Sequence, residues 1–462
     1  MAQLIVLAAT LFLATSVSAA PNPSLEQAIR ERLAGSVTPG LAVAVVERGG
    51  TITQMAFGRR DAEKGDLVTP ATVFRNGSAS KMWVAAALIK AMKKRGLKLS
   101  APIGTFVPNS PVPLRRLTVH QLLTHSSGLV DATNDFGPAD EAALARRVKE
   151  GKFAFFAPQE AVFSYANPGY DLAGYVLEVI SGRPFADAMN ALLFKPAGMN
   201  QTFYRPSTAS KHILALGHTP GEGKQLVAGR QMPDNASERP SGMAFTTALD
   251  SALFARMLMR QGRPALDAGT VAALTQSHIV LSNSPPSSAY AYGLTLSTGS
   301  RRVWEHAGSL TGYLAHTTIL PDEGVAVVVL SNGRAMPLLL EVTDLILADR
   351  GVTAIPREEP KLGQAGVSFE PLPSALAASL AGQWGQDTPA LAVRAEADGP
   401  ALLRGDTVMG TLRSAGGDRL AIINPKGRFG GYLHMSRGPA GQVLFLRIGM
   451  RAFARLNAAV LK

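Results

Sequence analysis

Asn76-Gly77-Ser78-Ala79-Ser80-Lys81 opens an apolar run that continues through Met82, Val84, Ala85, Leu88, Ile89 and Met92 and stops at Gly96. That spacing predicts a largely buried helix beginning near Ser78. Ser78 and Lys81 stand at i and i+3, which puts a hydroxyl and an amine on one helix face, close enough to touch. Serine is a weak nucleophile until a neighbour takes its proton, and a desolvated lysine is neutral enough to do so. The Ser78 amide, at the N-terminus of the helix, points where an oxyanion would form. A Ser-x-x-Lys pair arises by chance about once in a chain of this length, usually as a solvated helix start, so its meaning depends on its company.

Upstream, Ser24-Leu25-Glu26-Gln27 reads as a capping box opening a helix to Gly35, and Leu41–Glu47 and Thr51–Phe57 read as a hairpin around Arg48-Gly49-Gly50. The middle third is predicted helical: Thr118 caps Val119–Thr124, Pro168–Ile180 ends at Gly182, and Ala248–Met259 ends near Gly262. Strand patterns return at Tyr292–Thr298, Arg302–His306, Tyr313–Leu320 and Val325–Leu330, before a helix around Pro337–Leu347. This order implies an α+β fold in which both ends of the region feed one antiparallel sheet. Residues 351–373, rich in Pro, Gly and charge, read as a linker. Beyond them, Ala390–Ala395, Ala401–Arg404, Leu420–Ile423 and Val443–Ile448 alternate with Gly-containing turns, the pattern of a small antiparallel barrel or sandwich.

Two further stretches carry chemistry. In Tyr165-Ala166-Asn167, a phenol near a lysine ammonium would lose its proton more easily and act as acid or base, while the amide holds the nucleophile and lysine in place. In His306-Ala307-Gly308-Ser309, placed at the end of a predicted strand, small residues let a substrate backbone approach closely. Taken singly, Tyr165 reads as a core aromatic and His306 as a structural histidine.

In this order, S-x-x-K, Y-x-N and H-x-G resemble the serine β-lactamase, D,D-peptidase and esterase superfamily, specifically its class C-like branch. Leu117–Leu129 and Pro240–Thr247 resemble the same family, and the resemblance covers roughly residues 24–350. It implies a β-lactamase/penicillin-binding-protein-like fold: an antiparallel sheet flanked by helices plus an all-helical region. Residues 374–462 resemble more loosely the lipocalin-like β domain that some members append. The resemblance implies that Ser78 is acylated, that Lys81 is its base partner, that Tyr165 shuttles protons, with either of the two serving as the acylation base, and that Asn167 is a polar anchor. It further implies that Ser309 supplies a second oxyanion amide and that His306 and Gly308 line the substrate strand. His306 stands where β-lactamases and transpeptidases carry Lys, so the fixed cation for a β-lactam carboxylate is missing. H-x-G is familiar among esterase-like and D-aminopeptidase-like members.

Leu4–Ala14 followed by Val17-Ser18-Ala19 reads as a signal peptide over residues 1–19, although MAQ carries no Lys or Arg. We therefore expect an exported, periplasmic or secreted protein. No cysteine is present, so neither disulfides nor a Cys-linked lipid is expected. A net charge of +12 favours contact with anionic surfaces, but no basic run reads as a nucleic-acid site. His120 and His125 are at i and i+5, off a common helix face, so no metal is expected. No G-x-S-x-G elbow, P-loop or G-x-G-x-x-G occurs, so neither an α/β-hydrolase nor a nucleotide site is expected, and no cofactor is required. The sequence thus predicts a serine hydrolase cleaving an amide or ester of a small molecule or short peptide. A β-lactam or D-amino-acid peptide ranks ahead of a carboxylic ester, and a non-catalytic scaffold on the same fold is the alternative from another class.

Overall fold

The computed structural model describes residues 22–221, 226–282, 287–356 and 369–456. The expected signal segment and residues 357–368 of the expected linker lie outside them. Among the described residues, one antiparallel sheet runs Asp66–Leu67, Ile52–Asp61, Gly40–Val46, Val325–Ser331, Tyr313–Leu320, Val303–Leu310, Thr295–Ser297, Ser288–Tyr290 and Ile279–Ser282 from edge to edge. The early hairpin and the late strands therefore meet in the middle, where Leu41 lies opposite Ser331 and Val46 opposite Ala326.

Side chains alternate across a strand, and the central strands Gly40–Val46, Val325–Ser331 and Tyr313–Leu320 are buried on both faces. Leu41, Val43, Val45, Val325, Val327 and Val329 pack against the helices Pro23–Ala34 and Met336–Asp349. Ala42, Ala44, Val46, Ala326, Val328 and Leu330 face the other way, into the larger core that holds the helical region. The alanines on that second face leave room for helices to lie close to the sheet. At the centre of the helical region is Lys81–Lys94, with every residue from Lys81 to Ile89 buried. Trp83 anchors it, meeting Phe194 and Phe254 edge-on at 5.7 and 6.2 Å between ring centroids.

Four details differ from the sequence reading. Asn22, not Ser24, caps the first helix, because its Oδ1 accepts the Ser24 amide at 3.1 Å and Pro23 suits the first helical position. Ser78 sits in a 3-10 turn, Gly77–Ser80, and the α-helix proper starts at Lys81. His306 does not end its strand, which continues through Ala307, Gly308 and Ser309 to Leu310. The last strands of the sheet, Ser288–Tyr290 and Ile279–Ser282, were invisible because runs of three or four residues show no period.

The C-terminal strands form a closed eight-stranded barrel, preceded by a short helix, Ser374–Leu380. Closure comes from Gly382–Gly385, which pairs with Pro389–Arg394 on one side and Arg451–Leu456 on the other. Trp384, Leu391, Leu402, Leu412, Leu433 and Leu446 fill the lumen, as side chains do in small barrels.

The site-bearing turn is wedged against the sheet by glycine. A Cβ on Gly308 would fall 1.9 Å from the Asn76 carbonyl oxygen, and one on Gly77 would fall 2.6 Å from the Ser309 nitrogen. Gly308→Ala must therefore push the turn off the strand. We expect it to destabilise the fold by about 2 kcal/mol or more in urea unfolding, the upper part of the range for overpacked sites.

Candidate active site

The structure brings Ser78, Lys81, Tyr165, Asn167 and the His306–Ser309 strand together. Ser78 is half-buried and open to approach, whereas Lys81 is 0% exposed. The Lys81 amine reaches Ser78 Oγ at 3.1 Å and Asn167 Oδ1 at 2.5 Å, and it also donates to the Ser241 carbonyl. Burial pushes its pKa well below the usual lysine value. The carboxylates of Asp171 and Asp131 oppose that shift and the Arg451 cation adds to it. Asp171 is fully buried behind the lysine, paired with Arg147 at 3.0 Å and accepting the Ser241 amide at 3.2 Å.

Asn167 is oriented from its other end. Its backbone N–H and side-chain Nδ2 both donate to Asp131 Oδ1, at 2.9 and 3.2 Å, which leaves its own oxygen for Lys81. The Tyr165 ring lies 4.9 Å from the Lys81 amine, and its buried hydroxyl makes no hydrogen bond of good geometry among the described residues. Contrary to the sequence expectation, the phenol does not ionise more easily: burial raises its pKa, and the nearby Ser78 hydroxyl only partly offsets this. It is therefore a neutral hydroxyl that can relay a proton, not a standing base.

His306 is held by a chain of hydrogen bonds whose direction can be read from its ends. The Ala166 N–H donates to His125 Nδ1 at 3.1 Å, so His125 carries its proton on Nε2 and donates to Tyr290 Oη at 3.1 Å. Nδ1 of His306 faces the Ala307 carbonyl at 2.6 Å and must donate, so His306 Nε2 accepts from Tyr290 at 3.2 Å. Both nitrogens of His306 are thus engaged by protein. Burial, reinforced by the Lys81 charge, pushes its pKa down to about 3, so the ring is neutral at physiological pH. His125 is likewise lowered by burial, adopts φ 57° and lies against Tyr165 with 4.1 Å between ring centroids.

Strand Val303–Leu310 is paired on its outer side only as far as Glu305, opposite Thr295. From His306 onward that edge is open toward the Gly77–Ser80 turn, which brings the Ser309 amide beside Gly77 and next to Ser78. Two amides near a hydroxyl activated by an amine can hold a tetrahedral oxyanion, and the open edge can receive an extended acyl group.

A family profile described as Beta-lactamase matches residues 25–348. The chain belongs to the β-lactamase family. Penicillin-binding protein 4 of Amycolatopsis lactamdurans is 28% identical over 315 residues, covering 64% of this chain and 81% of that one. The crystal structure of SurE superposes with TM-score 0.77 at 24% identity, over 94% of this chain and 98% of SurE. A class C β-lactamase from Rhodobacter sphaeroides gives TM-score 0.60 at 22% identity, over 71% of this chain and 100% of its own. The fold is the β-lactamase/penicillin-binding-protein fold followed by a barrel, and the protein is a serine hydrolase of that family in general kind.

Reading by motif missed Asp131, Asp171, the Ser241 carbonyl, Tyr290 and Arg451. Carboxylates, a backbone oxygen and a distant arginine carry no local pattern. His125 and Ser241 lay within stretches that resembled the family, but their partners were unknown.

The neutral histidines have a measurable consequence. The His306 pKa is depressed from 6.5 to about 3, so the unfolded chain binds a proton that the folded one refuses as pH falls below 6.5. Stability should decline across that window. In His306→Asn the slope of unfolding free energy against pH, measured by denaturation between roughly pH 4 and 6, should fall by about 1.4 kcal/mol per pH unit.

Proposed function

We propose that Ser78 attacks an amide carbonyl to form an acyl-enzyme, that Lys81 takes its proton, and that water then releases the acyl group. The supporting observation is the set of partners around the Lys81 nitrogen. A neutral amine has two N–H bonds and one lone pair. Asn167 Oδ1 and the Ser241 carbonyl can only accept, so they take the two N–H bonds, and the lone pair is left for the Ser78 hydroxyl. Burial makes that neutral form accessible. Tyr165, protonated and next to both groups, passes the proton on to the leaving group as another reaches it from Lys81. The Ser78 and Ser309 amides hold the oxyanion.

We read the substrate as a D-amino-acid peptide or a β-lactam. A penicillin-binding protein is among the relatives, and SurE has also been solved with D-Leu. The open strand edge suits a peptide backbone, and the export expected from the N-terminus would bring the enzyme to such substrates. A carboxylic ester is the second reading, favoured by His306, which is neutral and engaged at both nitrogens and so offers the acyl group no cation.

The test is to incubate wild type and Ser78→Ala with a chromogenic cephalosporin, a p-nitrophenyl ester and a D-Ala-D-Ala peptide, following turnover and intact mass. Wild type should turn over at least one and gain an acyl adduct at Ser78, while Ser78→Ala should lose about four orders of magnitude in rate or more. Equal inactivity of both proteins, without an adduct, would return the scaffold alternative. Lys81→Met should acylate at least about a thousandfold more slowly in stopped-flow or mass-spectrometric measurement, since Lys81 is the amine in contact with Ser78 Oγ and burial keeps the neighbouring Tyr165 phenol protonated.

A further inference from the structure

The hairpin that completes the barrel, Val443–Ile448 to Arg451–Leu456, turns at Gly449 and Met450 and aims that turn at the Ser78 site. The Met450 carbonyl accepts the Tyr165 N–H at 2.7 Å, and its side chain packs on the cluster of Phe163, Tyr165, Leu281 and Tyr290. Arg451 donates from Nε to Asp131 Oδ2 at 2.8 Å and from Nη2 to the same oxygen. The other oxygen of that carboxylate takes both N–H groups of Asn167, and the Asn167 oxygen takes Lys81. A continuous line thus runs from a barrel residue, beyond the 25–348 family match, to the nucleophile.

We infer that Arg451 is a positioning residue for the Ser78 reaction, fixing Asp131 so that Asn167 presents its oxygen, and not its NH2, to Lys81. The inference rests on the acyl-transfer reading above. The physical case is one of matching donors and acceptors. An asparagine amide can flip, and the flipped form would point two donors at an amine that is itself a donor. Asp131 forbids the flip by accepting the Asn167 backbone and side-chain N–H on one oxygen. Asp131 holds that pose because its other oxygen is anchored by two guanidinium donors. Without the anchor, a carboxylate only 6% exposed loses the two donors that fix its pose.

The charges around Lys81 give the inference a signature that a merely structural contact lacks. Asp171 and Asp131 favour its ammonium form and Arg451 opposes it. The other groups facing it are uncharged: Ser78, Asn167, the Ser241 carbonyl, the rings of Tyr165 and Tyr170 at 4.9 and 5.5 Å, and the neutral His125 and His306. Removing the cation should raise the Lys81 pKa, and neutralising Asp131 should lower it.

The experiment measures the rate at which a fluorophosphonate probe labels Ser78 in the full-length protein across the pH range 5 to 10, alongside thermal melting. Arg451→Ala should label at least tenfold more slowly at pH 7, with the acid limb of its profile moved to higher pH. Asp131→Asn should move that limb to lower pH, and Arg451→Lys should recover part of the rate. Melting should fall only modestly in Arg451→Ala, because the pair joins an arginine 49% exposed to a carboxylate 6% exposed. Wild-type rate and profile in Arg451→Ala would overturn the inference. So would limbs that move the same way in Arg451→Ala and Asp131→Asn, or a slow rate with an unmoved limb and a lowered melting temperature. If wild-type Ser78 fails to label at every pH, the acyl-transfer reading itself falls, and the inference falls with it.

Discussion

A lysine amine with no access to solvent is the constraint around which this molecule is organised. Burying an ammonium costs several kcal/mol unless partners replace water, and the chain surrounds Lys81 with acceptors to meet that cost. Ser78, Asn167 and the Ser241 carbonyl contact the nitrogen directly, while the carboxylates of Asp131 and Asp171 balance its charge from further away. The balance is incomplete, which keeps the pKa low. More complete pairing would stabilise the protein and fix the amine as a cation unable to accept a proton.

That burial depends on close approach between backbones. The turn carrying Ser78 packs so tightly on the strand Val303–Leu310 that glycine is required on both surfaces, at Gly77 and Gly308. The helix starting at Lys81 is then driven inward by Trp83, Ala85, Ala86, Ala87 and Leu88, which are all buried. Packing on one side and glycine contact on the other leave the amine one direction to point. Local strain is tolerated nearby, as at His125 with φ 57°, because its ring is held by hydrogen bonds at both nitrogens.

The barrel is part of this arrangement and not an appendage beside it. Gln386 accepts the Asp131 N–H and donates to Ser164, Ala452 donates to Ser164, and Met450 accepts from Tyr165. The segment that presents Tyr165 is therefore held from the barrel side along its length.

Much of this was legible without coordinates. The helix after Ser78, the hairpin around Gly49-Gly50, the strands Tyr313–Leu320 and Val443–Ile448, and the helix stop at Gly182 follow from residue type and spacing, because periodicity and glycine conformation are local properties. Ser78 and Lys81 were legible as a pair because i and i+3 meet on any helix or tight turn. Whether Tyr165 is an easy or a reluctant acid was misread, since burial and not the lysine governs its phenol. The neutrality of His306, the anchoring of Asn167 by Asp131 and the reach of Arg451 across 320 positions to Asp131 belong to the tertiary structure alone. Sequence determines which groups are present and which near neighbours touch. Desolvation and long-range pairing, which set their charge states, exist only once the chain has closed around them.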